Sequence, residues 1–145
     1  MTQQIAIAMI EDDEGHARLI EKNLRRAGVQ NEIVPLTDGA TALKFLFGPD
    51  GSGLVNKGRP LLILLDLNLP DMSGIDILKR IKENDHLRVV PVVVLTTTDD
   101  KAEIQRCFDL GCNVYVTKPV DYEKFAHAIQ QFGLFMYVMQ VPVAI

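Results

Sequence analysis

The stretch that decides the fold is residues 61–66, which read Leu-Leu-Ile-Leu-Leu-Asp. Five aliphatic residues run without interruption into one carboxylate, and Leu-Asn-Leu-Pro-Asp-Met-Ser-Gly follows at 67–74. A short apolar run bounded by turn residues is typical of a strand buried on both faces, as in a parallel sheet. Because burying an unpaired charge is costly, Asp66 is expected where the strand ends and the sheet opens. A lone aspartate there is more simply a helix cap, so the other strand ends must decide its role.

Other apolar runs in the chain also end in polar groups. Each of three runs leads to a different chemistry: Glu11-Asp12 after residues 5–10, Thr96 at the end of residues 89–96, and Lys118 shortly after residues 113–116. The carboxyl ends of parallel strands lie at one edge of a sheet, where open α/β sheets bind their ligands. Helix capping explains one such end easily, but not the joint pattern. We therefore expect these residues to share one crevice with Asp66.

Helical repeats fill the segments between the predicted strands. The fourth helix is expected to bury Ile104, Cys107 and Phe108 on one face. Residues 31–36 form a short strand that contains Pro35, which places this strand at an edge of the sheet. Five strands alternating with five helices indicate an α/β fold with a doubly wound, five-stranded parallel sheet built from right-handed βαβ units.

Length and composition indicate one globular domain. The chain has 145 residues, of which 48% are hydrophobic and 23% charged, and its net charge is -4. A weakly acidic chain without a basic run argues against nucleic-acid binding. The N-terminal apolar stretch lacks the basic segment of a signal peptide, and no run approaches about 18 apolar residues, so no membrane association is expected. Two cysteines, Cys107 and Cys112, suit reduced thiols in the cytoplasm.

The predicted crevice suits phosphoryl transfer. Two or three carboxylates beside a backbone carbonyl form the hard-oxygen site that Mg²⁺ prefers. A carboxylate held by Mg²⁺ is a competent nucleophile toward phosphorus and would give an aspartyl-phosphate. A lysine ammonium and the metal neutralise charge on the transferring group, and a hydroxyl can donate to one of its oxygens. Asp66, Lys118 and Thr96 supply the nucleophile, the ammonium and the hydroxyl.

In these residues the chain resembles the receiver domain of two-component response regulators. The match rests on Glu11-Asp12, on Asp66 with Pro70 and Gly74 behind it, on Thr96 and on Lys118-Pro119. The resemblance covers nearly the whole chain and implies a receiver domain over residues 1–132. It also implies a flavodoxin-like (βα)5 fold with strand order 2-1-3-4-5.

The resemblance further implies a phosphoacceptor and a metal site. Asp66 would accept phosphate from the phosphohistidine of a cognate histidine kinase, with Mg²⁺ as the cofactor. The metal would lie on Asp12, on Asp66 and on the backbone carbonyl of Asn68. Glu11 would belong to the same acidic pocket, whereas Asp13 falls one place beyond the pair and is expected to cap a helix or to be an outer-shell acid.

The resemblance assigns roles to further positions. Thr96 and Tyr115 would form a conformational switch, in which Thr96 moves toward the phosphoryl group and the aromatic ring swings inward. An ordinary half-buried strand tyrosine is the alternative for Tyr115. The Lys118-Pro119 bond would be cis, as in the family. Asn68 and Thr98 occupy positions that, in the family, tune how fast water removes the phosphate.

The C-terminal extension, residues 133–145, is almost entirely apolar. No single helical stripe could bury all of it, and exposed apolar patches usually mark an interface. We predict a homodimer built on the last helix and this extension, with a tail folded onto its own domain as the alternative. The interface residues would be Phe132, Phe135, Met136, Tyr137, Val138, Val141 and Pro142. We expect no output domain, and the chain resembles the small single-domain regulators paired with bacterial phytochrome kinases.

Two other functions stay open from the sequence. A Mg²⁺-dependent phosphohydrolase could use an aspartate nucleophile, but such enzymes usually carry an acid two residues later, where this chain has Asn68. An unphosphorylated dimeric scaffold would tolerate Asp66→Asn without loss of signalling. The receiver interpretation instead predicts a signalling protein that catalyses only its own phosphorylation and dephosphorylation.

Overall fold

The computed structural model describes residues 5–26, 28–48, 61–97, 99–117 and 123. Within these ranges strands and helices alternate in the order β1 (Ala6–Ile10), α1 (Glu14–Arg26), β2 (Ile33–Leu36), α2 (Gly39–Phe47), β3 (Leu61–Asp66), α3 (Gly74–Glu83), β4 (Val92–Thr96), α4 (Lys101–Asp109) and β5 (Val114–Thr117). Residues 49–60, the C-terminal extension and, apart from Glu123, the predicted fifth helix lie outside the described residues. Among the described helices, none has the length and apolarity that crossing a bilayer requires.

The strands form one parallel five-stranded sheet in the order β2-β1-β3-β4-β5. The predicted fold class and strand order are thus confirmed. β2, which contains Pro35, lies at one edge of the sheet, where a residue without an N–H group is tolerated. β3 lies at the centre between β1 and β4, which explains why its sequence is an unbroken apolar run.

Both faces of the sheet are covered by packed side chains. In β3, Leu61, Ile63 and Leu65 belong to the cluster that includes residues of α2, α3 and α4. Leu62 and Leu64 belong to the cluster on the opposite face, which includes residues of α1. Successive residues of a strand point to opposite faces, and both faces are covered, so all five side chains are buried.

The start of β4 differs from the prediction. The apolar run suggested a strand from Val89, but the strand begins at Val92 and Val89 is 76% exposed. The residues before Pro91 form a turn instead, in which the Lys82 ammonium donates to the carbonyls of Arg88 at 3.1 Å and Val90 at 3.0 Å. These bonds hold residues 88–90 in the turn, so β4 begins three residues later than the sequence suggested.

The buried face of α4 is narrower than predicted. Cys107 is fully buried and Ile104 is half-buried, but Phe108 is 45% exposed, so its predicted burial is wrong. The Phe108 ring lies beside that of Tyr115 on β5, with ring centroids 6.5 Å apart. Since β5 is an edge strand of the described sheet, a helix packed there has only one narrow stripe against the core.

Candidate functional site

The register of the sheet brings three strand ends together at its carboxyl edge. Asp66 is the last residue of β3. Glu11 directly follows the β1 residue that pairs with the residue before Asp66. Thr96 is the last residue of β4 and comes one place after the residue paired with Asp66. The three side chains therefore originate side by side, as the sequence predicted for the carboxyl ends of parallel strands.

An acidic cluster lies at this edge. Glu11, Asp12 and Asp66 each contribute one carboxylate oxygen to a group of three that lie within 4.8 Å of one another. Glu11 is 2% exposed and Asp66 3% exposed, whereas Asp12 faces solvent. Mg²⁺ holds oxygen ligands at about 2.1 Å, so opposite ligands are about 4.2 Å apart, and small side-chain adjustments would fit the cluster around such an ion. Without a cation these carboxylates repel one another.

Asn68 connects the end of β3 to the end of β4. Its backbone N–H donates to Oδ1 of Asp66 at 2.9 Å and so orients this carboxylate. Its side-chain amide donates to Oγ1 of Thr97 at 3.1 Å and, in a longer contact of 3.4 Å, to Oγ1 of Thr96. Thr97 has no role in the sequence prediction. Its only signal was the threonine run at 96–98, which does not say which hydroxyl meets a side chain 29 residues away.

Gly74 allows α3 to begin directly beneath this loop. Its N–H donates to the carbonyl of Leu67 at 3.0 Å. A Cβ at this position would lie 2.6 Å from Cα of Leu67 and would collide with the carbonyl of Asp66. The glycine that the sequence placed behind Asp66 is therefore explained by a close approach of two backbone segments.

Thr96 and Tyr115 are neighbours below the acidic cluster. Thr96 is fully buried and Tyr115 half-buried. Burial raises the pKa of Tyr115 to about 12, assisted by the nearby Cys107 and Glu103, while a hydrogen bond with the Thr96 side chain lowers the pKa. The tyrosine hydroxyl thus already lies against the residue that is expected to move toward a phosphoryl group.

The first turn of α1 adds a histidine beside the cluster. Oδ1 of Asp13 accepts the backbone N–H of His16 at 2.9 Å, which confirms that Asp13 caps a helix. Nδ1 of His16 lies 3.9 Å from Oε1 of Glu11 and 4.0 Å from Oδ1 of Asp13. His16 is exposed, and its imidazole faces both carboxylates from the solvent side.

An open cleft of about 660 Å³ leads to the cluster and is lined by Asp12, residues 67–73, Ile75 and Glu103. The arrangement can hold a divalent cation and present an oriented, buried carboxylate to a substrate entering from this side. The remaining predicted site residues, Lys118 with its bond to Pro119 and Thr98, lie outside the described residues.

Comparison with known proteins identifies relatives along most of the chain. The sequence model described as the response regulator receiver domain matches residues 7–130. The response regulator Rcp1 of Synechocystis is 37% identical over 131 residues, covering 88% of each chain. A structure of Rcp1 in its Mn(2+)-bound form superposes with a TM-score of 0.74 over 97% of this chain and 99% of that chain.

Two further solved structures share the fold. A response regulator receiver domain from Rhodospirillum rubrum is 70% identical and superposes with a TM-score of 0.84, covering 95% of this chain and 97% of that chain. The phosphorylated cyanobacterial phytochrome response regulator RcpA is 34% identical, with a TM-score of 0.75 and coverage of 92% and 94%.

Proposed function

This chain belongs to the response regulator receiver family, and on that premise we propose that it is the phosphoacceptor of a two-component phosphorelay. Asp66 takes a phosphoryl group from the phosphohistidine of a histidine kinase. The observation that carries this proposal is the convergence of Glu11, Asp12 and Asp66 within 4.8 Å. A buried, oriented carboxylate beside a cation-binding cluster has what phosphoryl transfer needs, which is positioning and charge neutralisation.

The transfer moves one phosphoryl group between two side chains. An oxygen of Asp66 forms a bond to phosphorus while the phosphorus–nitrogen bond of the phosphohistidine breaks, and the imidazole nitrogen keeps that electron pair. The N–H of Asn68 on Oδ1 holds the Asp66 carboxylate in one orientation. Attack by water on the aspartyl-phosphate later returns phosphate and the free carboxylate, which resets the regulator.

The donor set suits Mg²⁺. Asp12, Asp66 and the backbone carbonyl of Asn68 would hold the ion, and Glu11 contributes further negative charge to the same pocket. All are hard oxygen donors of the kind that Mg²⁺ binds. When bound, the ion neutralises charge on the phosphoryl oxygens. The Mn(2+)-bound structure of Rcp1 supports divalent-cation binding in this family.

Thr96, Tyr115 and Lys118 are proposed to convert phosphorylation into a conformational change. The Thr96 hydroxyl and the Lys118 ammonium donate to phosphoryl oxygens. When Thr96 turns toward the phosphate, its contacts with Asn68 and Tyr115 must change, and Tyr115 settles into the space beside it. A change from 1:99 to 99:1 needs about 5.5 kcal/mol of differential binding, which several charge-assisted hydrogen bonds can supply.

The geometry at Asn68 disfavours the phosphohydrolase alternative. That enzyme needs an acid two residues after the nucleophile to protonate the leaving group. The Asn68 side chain is an amide that donates to Thr97 and has no acidic proton to give. Family membership also places the chain among signalling proteins.

Partners and organisation follow from the same proposal. Residues 1–132 form the receiver domain, and residues 133–145 form a dimerisation arm with the last helix. The phytochrome regulator RcpA among the relatives supports a bacterial phytochrome as the cognate kinase. We place the exchange in the cytoplasm, where the unpaired thiols of Cys107 and Cys112 stay reduced.

Intact-mass measurement after incubation with acetyl phosphate and Mg²⁺ tests the phosphoacceptor. We expect one added phosphoryl group on the wild type, none on Asp66→Asn, and none when a chelator removes the metal. Asp13→Asn is a matched control, because Asp13 is an adjacent acid that caps α1 and should leave labelling intact. Labelling of Asp66→Asn, or rapid turnover of a generic phosphomonoester by the wild type, contradicts the proposal.

Sedimentation tests the dimerisation arm. The full chain should sediment as a dimer at micromolar concentration, and a chain cut after Phe132 should sediment as a monomer. Monomers in both samples would rule the dimer out, and dimers in both would move the interface away from the extension.

A further inference from the structure

The loop between β3 and α3, residues 67–73, is attached to a helix on the neighbouring part of the sheet. Both carboxylate oxygens of Asp71 accept backbone N–H groups: Oδ1 from Gly39 at 2.8 Å and Oδ2 from Ala40 at 2.9 Å. These are the first two residues of α2. The hydrogen bonds from Gly39 and then Ala40 lower the pKa of Asp71, so the carboxylate stays ionised at neutral pH.

Packing reinforces this attachment. At Gly39 a Cβ would lie 2.5 Å from Sδ of Met72, the residue that follows Asp71, and would also collide with Cγ of Met72. The methionine side chain therefore occupies the space that any other residue at position 39 would need. One loop thus contacts the start of α2 both through a charged group and through an apolar side chain.

Asp38, the residue that precedes α2, satisfies the other N–H groups at the start of this helix. The side chain of Asp38 accepts the N–H of Thr41 at 2.7 Å, and its carbonyl accepts that of Ala42 at 3.1 Å. Asp38 and Asp71 therefore cap the same helix end from opposite directions in the sequence. Asp38 directly precedes the helix in the sequence, whereas Asp71 belongs to the loop that follows Asp66.

The same loop is closed at its base around the acidic cluster. Asn68 donates to Asp66 at one end, and an antiparallel bridge joins Asn68 to Ser73. The N–H of Gly74 on the carbonyl of Leu67 completes the turn. Asp71 lies in this turn, three residues from Asn68, so the segment that carries the Asn68 carbonyl is hydrogen-bonded to the start of α2.

We propose that Asp71 is a positioning residue for the phosphoacceptor site: by holding the N-terminus of α2, it fixes the loop so that the Asn68 carbonyl and amide keep their places beside Asp66. This inference rests on the proposed function, in which the backbone carbonyl of Asn68 is a ligand of Mg²⁺. Outer groups that orient metal ligands typically change affinity by about 10-fold to 100-fold when removed, and the indirect connection here predicts the lower end, about 10-fold.

The test compares Asp71→Ala with Asp38→Ala, because both remove a cap from α2 but only Asp71 belongs to the loop. Isothermal titration with Mg²⁺ gives the affinity, and amide hydrogen exchange in the metal-free protein reports on the N–H groups of Asn68 and Gly74. We expect Asp71→Ala to bind Mg²⁺ about 10-fold more weakly and to exchange both amides faster. Asp38→Ala should match the wild type in both readouts while losing similar thermal stability.

Asp71→Asn is the second variant, because its amide oxygen can still accept one of the two N–H groups and should give an intermediate affinity. Equal Mg²⁺ affinity in the wild type, Asp71→Ala and Asp38→Ala overturns the inference, and so does an equal loss in the two alanine variants. A wild type that binds no Mg²⁺ and takes no phosphate instead overturns the proposed function, and the inference with it.

Discussion

Among single residues, Tyr115 lies directly against Thr96 at the carboxyl edge of the sheet. Its hydroxyl bonds with Thr96, and its ring lies beside Phe108 at the edge of the sheet. Burial raises its pKa to about 12 from the ordinary value of 10. Because folding favours the neutral phenol, the free energy of unfolding at alkaline pH depends on the burial of this ring.

The first prediction concerns this alkaline stability. The unfolded chain releases the tyrosine proton near pH 10 and the folded chain near pH 12, so the Tyr115 contribution is complete below pH 10 and is lost as pH rises through about 12. In Tyr115→Phe this part of the loss should be absent. Urea unfolding of both proteins across that window measures it, and their difference cancels other groups, such as Cys112 with its pKa of about 11. If the free energy of unfolding fell with pH equally in both proteins, the Tyr115 hydroxyl would be exposed to water and the prediction would be wrong.

The second prediction concerns Gly74. In Gly74→Ala the added methyl meets the backbone of Asp66 and Leu67, which cannot rotate away as a side chain could. We expect a loss of about 1–3 kcal/mol in the free energy of unfolding, together with slower phosphorylation by acetyl phosphate. Gly15→Ala is the control, because its nearest neighbour is the side-chain Oδ1 of Asp13 at 3.2 Å and alanine favours a helix. Similar unfolding and labelling in the two variants would refute the explanation.

Single residues also mark how far the sequence could predict the site. Glu11, Asp66 and Thr96 were predictable, because a polar residue that ends an apolar run stands out without knowledge of its partners. Asp71 and Thr97 were not, because their roles depend on groups 31 and 29 residues away that only the folded chain brings close. A surface aspartate in a turn looks the same in the sequence whether it caps its own helix or another.

Among the elements, hydrophobic periodicity predicted type better than extent. Apolar runs identified β1, β3 and β4, but Val89 was assigned to β4 because a run of valines carries no mark of where pairing begins. The lysine that binds the turn carbonyls sits on α3, outside the run. Phe108 fits the apolar spacing of α4, but the depth of the core beneath an edge strand is a property of the packed sheet.

The third prediction tests how this turn is held. Lys82 is half-buried, and burial lowers its pKa, but its ammonium donates to two carbonyls before β4. Lys82→Met keeps the length of the side chain and removes these bonds, so we expect a loss of about 1–3 kcal/mol in the free energy of unfolding. Lys79→Met, at an exposed position of the same helix, should stay within about 0.5 kcal/mol of the wild type. Equal urea midpoints for the two variants would show that the turn needs no lysine.

Over the whole molecule, the layers of the fold were predictable from the residues and the order of its strands was not. Alternating strands and helices require right-handed crossovers, and β3 had to be an interior strand because it is apolar on both faces. Placing β2 outside β1, and β4 and β5 on the other side of β3, came from the resemblance to receiver domains. Periodicity alone does not say where the winding reverses, yet this reversal produces the crevice in which the carboxylates meet.

The fourth prediction concerns the acidic cluster, whose carboxylates bring together the oxygen ligands for a cation but destabilise the metal-free protein by repelling one another. Asp12→Asn removes one of three mutually repelling carboxylates, so the metal-free variant should be more stable than the metal-free wild type by about 0.5 kcal/mol. Mg²⁺ at about 100 times its dissociation constant should stabilise the wild type by about 2.7 kcal/mol and the variant by much less. Urea unfolding with chelator and with Mg²⁺ measures both effects. Asp76→Asn, on the exposed face of α3, is the control: it should not gain stability without metal, and Mg²⁺ should stabilise it as much as the wild type. If Mg²⁺ stabilised Asp12→Asn as much as the wild type, the cation would bind elsewhere, because only a shared site can reverse the order of the two proteins.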